Sequence, residues 1–224
     1  MSSTVKTYLK RGALAAGCAL LLAVALAAHE WYARPFFVGN LFTRGFVQYL
    51  WDRPEELTYL GILESVGLNG HNARWNDESE AAARRENELG RGLLATLAQY
   101  DQKKLSHSNR LSATVFREFI GDPGADWRFR HHDYPVNQLN GVHIAIPEFL
   151  DAYHRVNSKE DAEHYIARLS LVDVKMAQIM DGLLAREKKG VIPPTFVIDK
   201  SVAGMDSFIG SPARANALYH SFQA

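Results

Sequence analysis

The chain is poorest in cysteine. Among 224 residues Cys18 is the only one, so no intrachain disulfide can form and no thiolate-based zinc site can be built. It also lacks an excess of either charge, with 25 Lys and Arg against 25 Asp and Glu and a pI near 7.1. A nucleic-acid binder concentrates basic residues on one face, and that footprint is missing. No strand-like alternation persists and no segment repeats at a fixed period. Catalytic signatures that spacing can reveal are absent too. Two His at i and i+4 with a Glu between them bring both imidazoles to one metal and a carboxylate to its water. The one His-Glu pair is His29-Glu30, and position 33 is alanine. There is no Gly-x-Ser-x-Gly elbow and no phosphate-binding glycine loop.

What is present is apolar and helical. At 47% apolar and 22% charged residues the chain has the make-up of a globular protein and enough length for a core. Lys6, Lys10 and Arg11 precede an uncharged run from Gly12 to Ala28 that closes on Ala25-Leu26-Ala27. That is the layout of a secretory signal, cleaved near Ala27 or Ala28. The run also meets the short limit of the ~17–25 residues that span a bilayer, so residues 1–28 read equally as a membrane anchor. Either way the basic start stays inside and the remainder is exported, periplasmic or held at the inner membrane facing the periplasm. Ala15-Ala16-Gly17-Cys18 has the look of a lipidation site, yet most of the apolar run follows Cys18, where a lipobox would close it.

Residues 29–39 read as a linker and 40–224 as helices. Apolar residues at helical spacing mark Asn40 to Gly61, with Pro54-Glu55-Glu56 starting a second short helix. Asp77 with Glu80 suggests a capping box ahead of the stripe Leu89, Leu93, Leu97 and Tyr100. Ser106 or Ser108 opens another helix, which Gly121-Asp122-Pro123-Gly124 ends. Ser158 with Asp161 opens what reads as one long helix over 158–189, burying Ile166, Leu169, Val172, Met176 and Leu183 and closing at Gly190. Pro193-Pro194 restarts a helix near Thr195, and a final segment from Ala213 is expected to fray. The fold class is all-α, an irregular helical array with a long central loop.

That loop, Trp127 to Phe149, holds no period but many aromatic, amide and imidazole side chains. Pro135 biases Tyr134 to extended backbone, Gly141 offers a place for positive φ, and Pro147 suits a helix first turn. Its plain reading is a packed structural loop whose Asn and Gln satisfy neighbouring backbone. The alternative is a substrate-facing loop. His131 and His132 are adjacent, which sends their rings apart. Joining His143 or His164 to them would take folding, so no metal ligand set is assigned.

The segment R-F-R-H-H-D-Y-P-V-N-Q-L-N-G-V-H-I-A-I-P-E-F-L, then D-A-E-H-Y-I-A-R-L and R-E-K-K-G-V-I-P-P-T-F-V-I-D-K, carries a resemblance. With P-E-E-L-T-Y-L-G at 54–61 and A-L-Y-H-S-F at 217–222, it resembles the N-terminal part of the bacterial family called domain of unknown function 885, over about residues 40 to 224. The resemblance implies helical, often exported, zinc-peptidase-like hydrolases of peptide-like substrates, more than twice this length. Their metal segment, His-Glu-x-x-Pro-Gly-His, lies in the C-terminal half and is absent from this sequence. It implies an incomplete domain over 40–224, inert alone, whose partner is the missing C-terminal catalytic half. Zinc is implied for the full-length family only, with no cofactor and no catalytic residue in this chain. By the same resemblance, residues lining the family's cleft map to His132, Tyr134, Asn137, Gln138 and Gly141. A rival reading is a complete periplasmic binding or structural module without activity. A third is an enzyme working through His131, His132 or Glu148. Partners exclude nucleic acid and include the inner membrane if the N-terminal helix is uncleaved.

Overall fold

Capping side chains and prolines set most helix starts in the computed structural model, which describes residues 3–223 and, of their side chains, all but those of 3–10, 217, 221 and 223. Lys6 and Lys10, on which the expected orientation rests, lie outside the described side chains. The apolar run forms α1 (Ser3–Tyr32), followed by α2 (Val38–Trp51). Pro54 and two acids start α3 (Pro54–Leu60), and Gly61 at φ 61° closes it by donating to Leu57 O. α4 (Glu80–Leu97) is capped by Ser79, whose hydroxyl accepts from Ala82 N at 3.2 Å. The cap is therefore not Asp77, which instead accepts from Ser79 N at 3.0 Å. Ser106 caps α5 (His107–Ile120), and Asp122 accepts from Gly124 N and Ala125 N to start α6 (Pro123–Phe129). Then come α7 (Val142–Ala152), α8 (Lys159–Leu169), α9 (Val172–Glu187), α10 (Thr195–Gly210) and α11 (Ala217–Gln223). Short 3-10 turns join several of them, and no strand occurs among the described residues. The all-α class holds.

Four expectations change. The segment 158–189 is two helices, because Ser170 and Leu171 form a tightened turn in which Leu171 N donates to Arg168 O. Its buried face is also turned: Tyr165, Arg168, Lys175 and Ile179 are inside while Ile166 is 58% exposed. Two cations belong to the core, while Val172 and Met176 of the expected stripe pack against it partly buried, so an apolar count finds only part of the inward face. The irregular stretch is 130–141 rather than 127–149, because α6 carries through Phe129 and α7 starts at Val142, with Pro147 inside the helix. Finally, the C-terminal segment is docked: Leu218 joins the core around Tyr165, whose hydroxyl donates to Leu218 O at 3.3 Å.

The chain divides into two compact units, Met1–Val47 with Gly90–Gly121 and Gln48–Leu89 with Asp122–Ala224. In the first, Leu41, Leu93, Leu97 and Ala113 form the core and the Phe42 and Phe116 rings meet at 5.0 Å. Gly45 permits this closeness, since a Cβ there would sit 3.0 Å from Phe116 Cζ and 3.2 Å from Leu93 Cδ1.

The second unit is built on Trp75, Ile146, Leu150 and Tyr165, ringed by Val142, Phe149, Val156, Val172, Met176 and Leu218. At its centre the Arg168 side chain is fully buried. Its guanidinium donates to Arg74 O (2.8 Å), His71 O (3.0 Å), Thr58 Oγ1 (2.8 Å) and His154 Nδ1 (3.1 Å). The Trp75 and Phe149 rings lie 5.4 and 5.0 Å from its Cζ, and the Trp75 indole N–H donates back to Arg168 O at 2.7 Å. No carboxylate forms an ion pair with it among the described residues. Burial lowers its pKa to about 10, so it stays charged at neutral pH. Burial, then the Arg168 charge, holds His154 down at about 4. A neutral ring accepting at Nδ1 must carry its proton on Nε2, which faces Asp161 O at 3.4 Å.

Arg168→Ala should cost about 3–5 kcal/mol, because it strands buried acceptors on three segments. Its neighbour Leu169, 37% exposed, should lose only about 1 kcal/mol on truncation to Ala. Denaturant titration of the solubilised chain compares the two, and equal losses would contradict the turned face. His154 makes stability pH-dependent. Above the unfolded pKa near 6.5 both states are neutral; as pH falls toward the folded value of about 4, the unfolded state takes up a proton first and stability is lost. His154→Asn keeps an acceptor for Arg168 and should flatten that loss between pH 6.5 and 4, which acid titration by circular dichroism will read.

Candidate functional site

The start of the stretch 130–141 is held by arginines. Trp127 lies between Arg130, 4.1 Å from its ring, and Arg84 at 5.5 Å. Arg130 in turn grips the Glu80 carboxylate through Nε (3.2 Å) and Nη2 (2.9 Å), and that hydrogen bonding, ahead of other causes, holds Glu80 below the ordinary carboxylate range. Three residues on, Asp133 is held by Arg186, which donates from Nε to Asp133 Oδ1 at 2.9 Å and pairs with the same oxygen through Nη2. The loop is thereby tied to α4 and α9.

Asn137 organises its middle. Its Oδ1 accepts from Leu139 N (2.9 Å) and Asn140 N (3.0 Å), and its Nδ2 donates to Tyr134 O at 2.9 Å. Gly141 N donates to Asn137 O at 3.1 Å, and Val142 N to Pro135 O at 2.9 Å. Gly141 sits at φ −62° as the cap residue of α7, so the expected positive φ is not the reason for glycine. Close approach is, for a Cβ would fall 2.5 Å from both Asn137 N and O.

Of the candidate site residues, Tyr134, Asn137 and Gly141 are therefore joined in one turn. Gln138 is half-buried with its Oε1 unpartnered, and His132 faces solvent against the Phe129 ring at 5.4 Å. His131, by contrast, is buried with Nε2 at 3.6 Å from Glu80 Oε2, and burial ahead of the nearby Arg130 lowers its pKa. His143 is lowered by burial as well. The two adjacent histidines diverge. Zinc would require three or four converging donors at about 2.0–2.3 Å. Among the described residues no three His, Cys, Asp or Glu side chains are grouped to hold a metal ion, so these residues do not fit a zinc site.

A polar cleft of about 300 Å³ lies elsewhere in the same unit, lined among others by Tyr49, Arg53, Asn76, Asp77, Arg85 and Glu86. Arg53 stacks on the Tyr49 ring at 4.8 Å and pairs with Glu56 and Glu86; Arg85 pairs with Asp77 at 3.1 Å. Every one of these charges is matched within the wall. Ser79 also lies in this wall, its hydroxyl beside the Asp77 carboxylate and engaged with Ala82 N as the cap of α4.

Sequence reasoning missed this cleft and the buried set Thr58, His71, Asn72, His154 and Arg168 with the half-buried Glu64 beside it. In that set His71 Nε2 and Asn72 Nδ2 both reach Glu64 Oε1, at 2.9 and 3.2 Å, and Thr58 Oγ1 lies 2.6 Å from Asn72 Oδ1. One signal was available: Arg168 stands three residues after Tyr165 and four before Val172, in the register of the inward stripe.

The loop geometry makes a paired prediction. Gly141→Ala should destabilise the unit by about 1–3 kcal/mol through overpacking. Gly204→Ala, where the nearest atom to a new Cβ is 3.9 Å away, should instead gain up to about 1 kcal/mol from helix propensity. Thermal melts of both variants decide it.

Neither the curated proteins nor the solved structures contain a match to the chain. A family model does match, over residues 54–224, which takes in the α3 start, the tied loop, the buried Arg168 set and the docked C-terminal helix. The chain belongs to the family described as bacterial protein of unknown function, DUF885.

Proposed function

We propose that this chain is the helical N-terminal region of an exported, zinc-dependent peptidase or other hydrolase of peptide-like substrates, and that it does not hold the metal itself. The observation carrying this is the family match over 54–224 together with a tied loop and a charge-matched cleft that lack three converging metal ligands. In this reading the unit around Arg168 is scaffold, and the turn at Tyr134, Asn137 and Gly141 lines the substrate path without taking part in bond breaking. Large apolar side chains exposed on α5, Leu111 and Val115 among them, suit packing against further helices of a catalytic half.

The purified chain should take up zinc no more tightly than a generic surface site and cleave no peptide above blank. Nanomolar, one-to-one zinc uptake lost in His131→Ala/His132→Ala would place the chemistry in the central loop and defeat the proposal. Reading the DNA beyond codon 224 is the companion test. A His-Glu-x-x-Pro-Gly-His segment, in frame or shifted, supports the hydrolase reading; unrelated sequence favours a non-catalytic binding module.

Export makes its own prediction. A reporter enzyme active only outside the cytoplasm should work when fused after Tyr100, and one active only inside should not. The reverse result overturns the localisation.

A further inference from the structure

The 22 residues Arg11–Tyr32 form a helix long and apolar enough to cross a membrane, and its apolar stretch is not buried in the fold. They rise about 33 Å at 1.5 Å per residue, against a hydrocarbon core of about 30 Å. With Arg11 at one surface, Tyr32 reaches the other. Four aromatic side chains cluster at that second end, all open to solvent: Trp31 (41%), Tyr32 (86%), Phe36 (57%) and Phe37 (73%). Trp and Tyr settle at the headgroup level, where an amphipathic ring has both an apolar and a wet side.

The end of this helix is also built into the first unit. Arg44, 9% exposed, places Nη1 within 3.1 Å of Glu30 O, 2.8 Å of Trp31 O and 2.6 Å of Ala33 O. Its Nε is buried without a hydrogen-bond partner. Glu30 accepts from Phe36 N (3.0 Å) and Asn40 Nδ2 (2.9 Å), the His29 and Phe36 rings stack at 4.4 Å, and the Tyr100 hydroxyl donates to the carbonyl of buried Pro35 at 2.5 Å. Residues 29–39 are thus an ordered elbow. A buried guanidinium here is compensated largely by carbonyls at a helix C-terminus, which act with the dipole of the whole helix. Cleavage near Ala27 or Ala28 would leave a single turn, too short to persist or to carry a macrodipole.

We propose that α1 stays attached as a membrane anchor and that Trp31, Tyr32, Phe36 and Phe37 seat the first unit in the headgroup layer of the face it emerges from. This rests on the export reading above. Two measurements on the full chain test it. Membranes washed with carbonate should retain a species of the full 25.1 kDa mass; a soluble species beginning near His29 overturns the anchor. In vesicles of phosphatidylethanolamine and phosphatidylglycerol, lipids brominated near the headgroup should quench tryptophan emission. Trp31→Phe should remove most of that quenching and Trp51→Phe little of it. Quenching unchanged by Trp31→Phe overturns the collar. The two readings fail separately. A cleaved periplasmic chain ends the anchor and keeps export; an intact membrane chain with a cytoplasmic Tyr100 fusion ends export and keeps the anchor.

Discussion

The larger unit depends on a cation placed where a hydrocarbon side chain would ordinarily sit. Arg168 is completely enclosed, and a buried charge without compensation costs several kcal/mol. The chain meets that cost with four hydrogen bonds and two aromatic faces, drawn from α3, the Gly70–Ala73 turn, the segment before α4, and α7 with His154 two residues past its end. None of these segments is long, and most are irregular. What holds them in register is that each supplies an acceptor or a ring to one planar group. Lys175 repeats the device one step along: its ammonium pairs with Glu55 (2.8 Å) and Glu78 (2.6 Å) and lies 5.5 Å from the other side of the core at Trp75.

This arrangement explains what was legible in the sequence and what was not. Helix starts are local chemistry, a hydroxyl or carboxylate reaching the next N–H groups, so Ser106, Ser158, Pro54 and the C-terminal glycines at 61 and 190 could be read directly. Where two capping residues compete two positions apart, as Asp77 and Ser79 do, spacing alone does not choose. The break at Ser170-Leu171 contains neither glycine nor proline and left no mark. The inward face of α8 and α9 was obscured by its own charges, since Arg168 and Lys175 look like solvent residues until their partners, some hundred positions away, are in place.

The candidate site divides the same way. The loop's self-containment could be inferred because Asn, Gly and Pro act on neighbours a few residues off, and Asn137 does satisfy the backbone around it. The cleft could not, for its wall comes from separate stretches near 49–53, 76–79 and 82–89 that meet only through tertiary folding. Its paired charges also show why composition was uninformative. A surface with equal acids and bases can still concentrate them in one concavity.

Arg44 and Arg168 make a common point about why arginine occupies both buried positions. Arg44 meets carbonyl oxygens, and Arg168 two carbonyls, a hydroxyl and an imidazole, so neither guanidinium is loosened by protonating a carboxylate partner or by screening an ion pair. Arginine suits this because its donors fan out in a fixed plane, whereas an ammonium is a more strongly hydrated point charge that is costlier to desolvate. At Arg168 the exception is the imidazole of His154, the one acceptor in the set that protonation can remove. The Arg168 joint is therefore expected to be indifferent to salt but sensitive to acid. In the first unit Arg44 meets only carbonyls within hydrogen-bond distance. A titratable group of its elbow is Glu30, which the hydrogen bond from Asn40, then that from Phe36 N, holds below the ordinary carboxylate range, so acid weakens that joint as Glu30 takes up its proton.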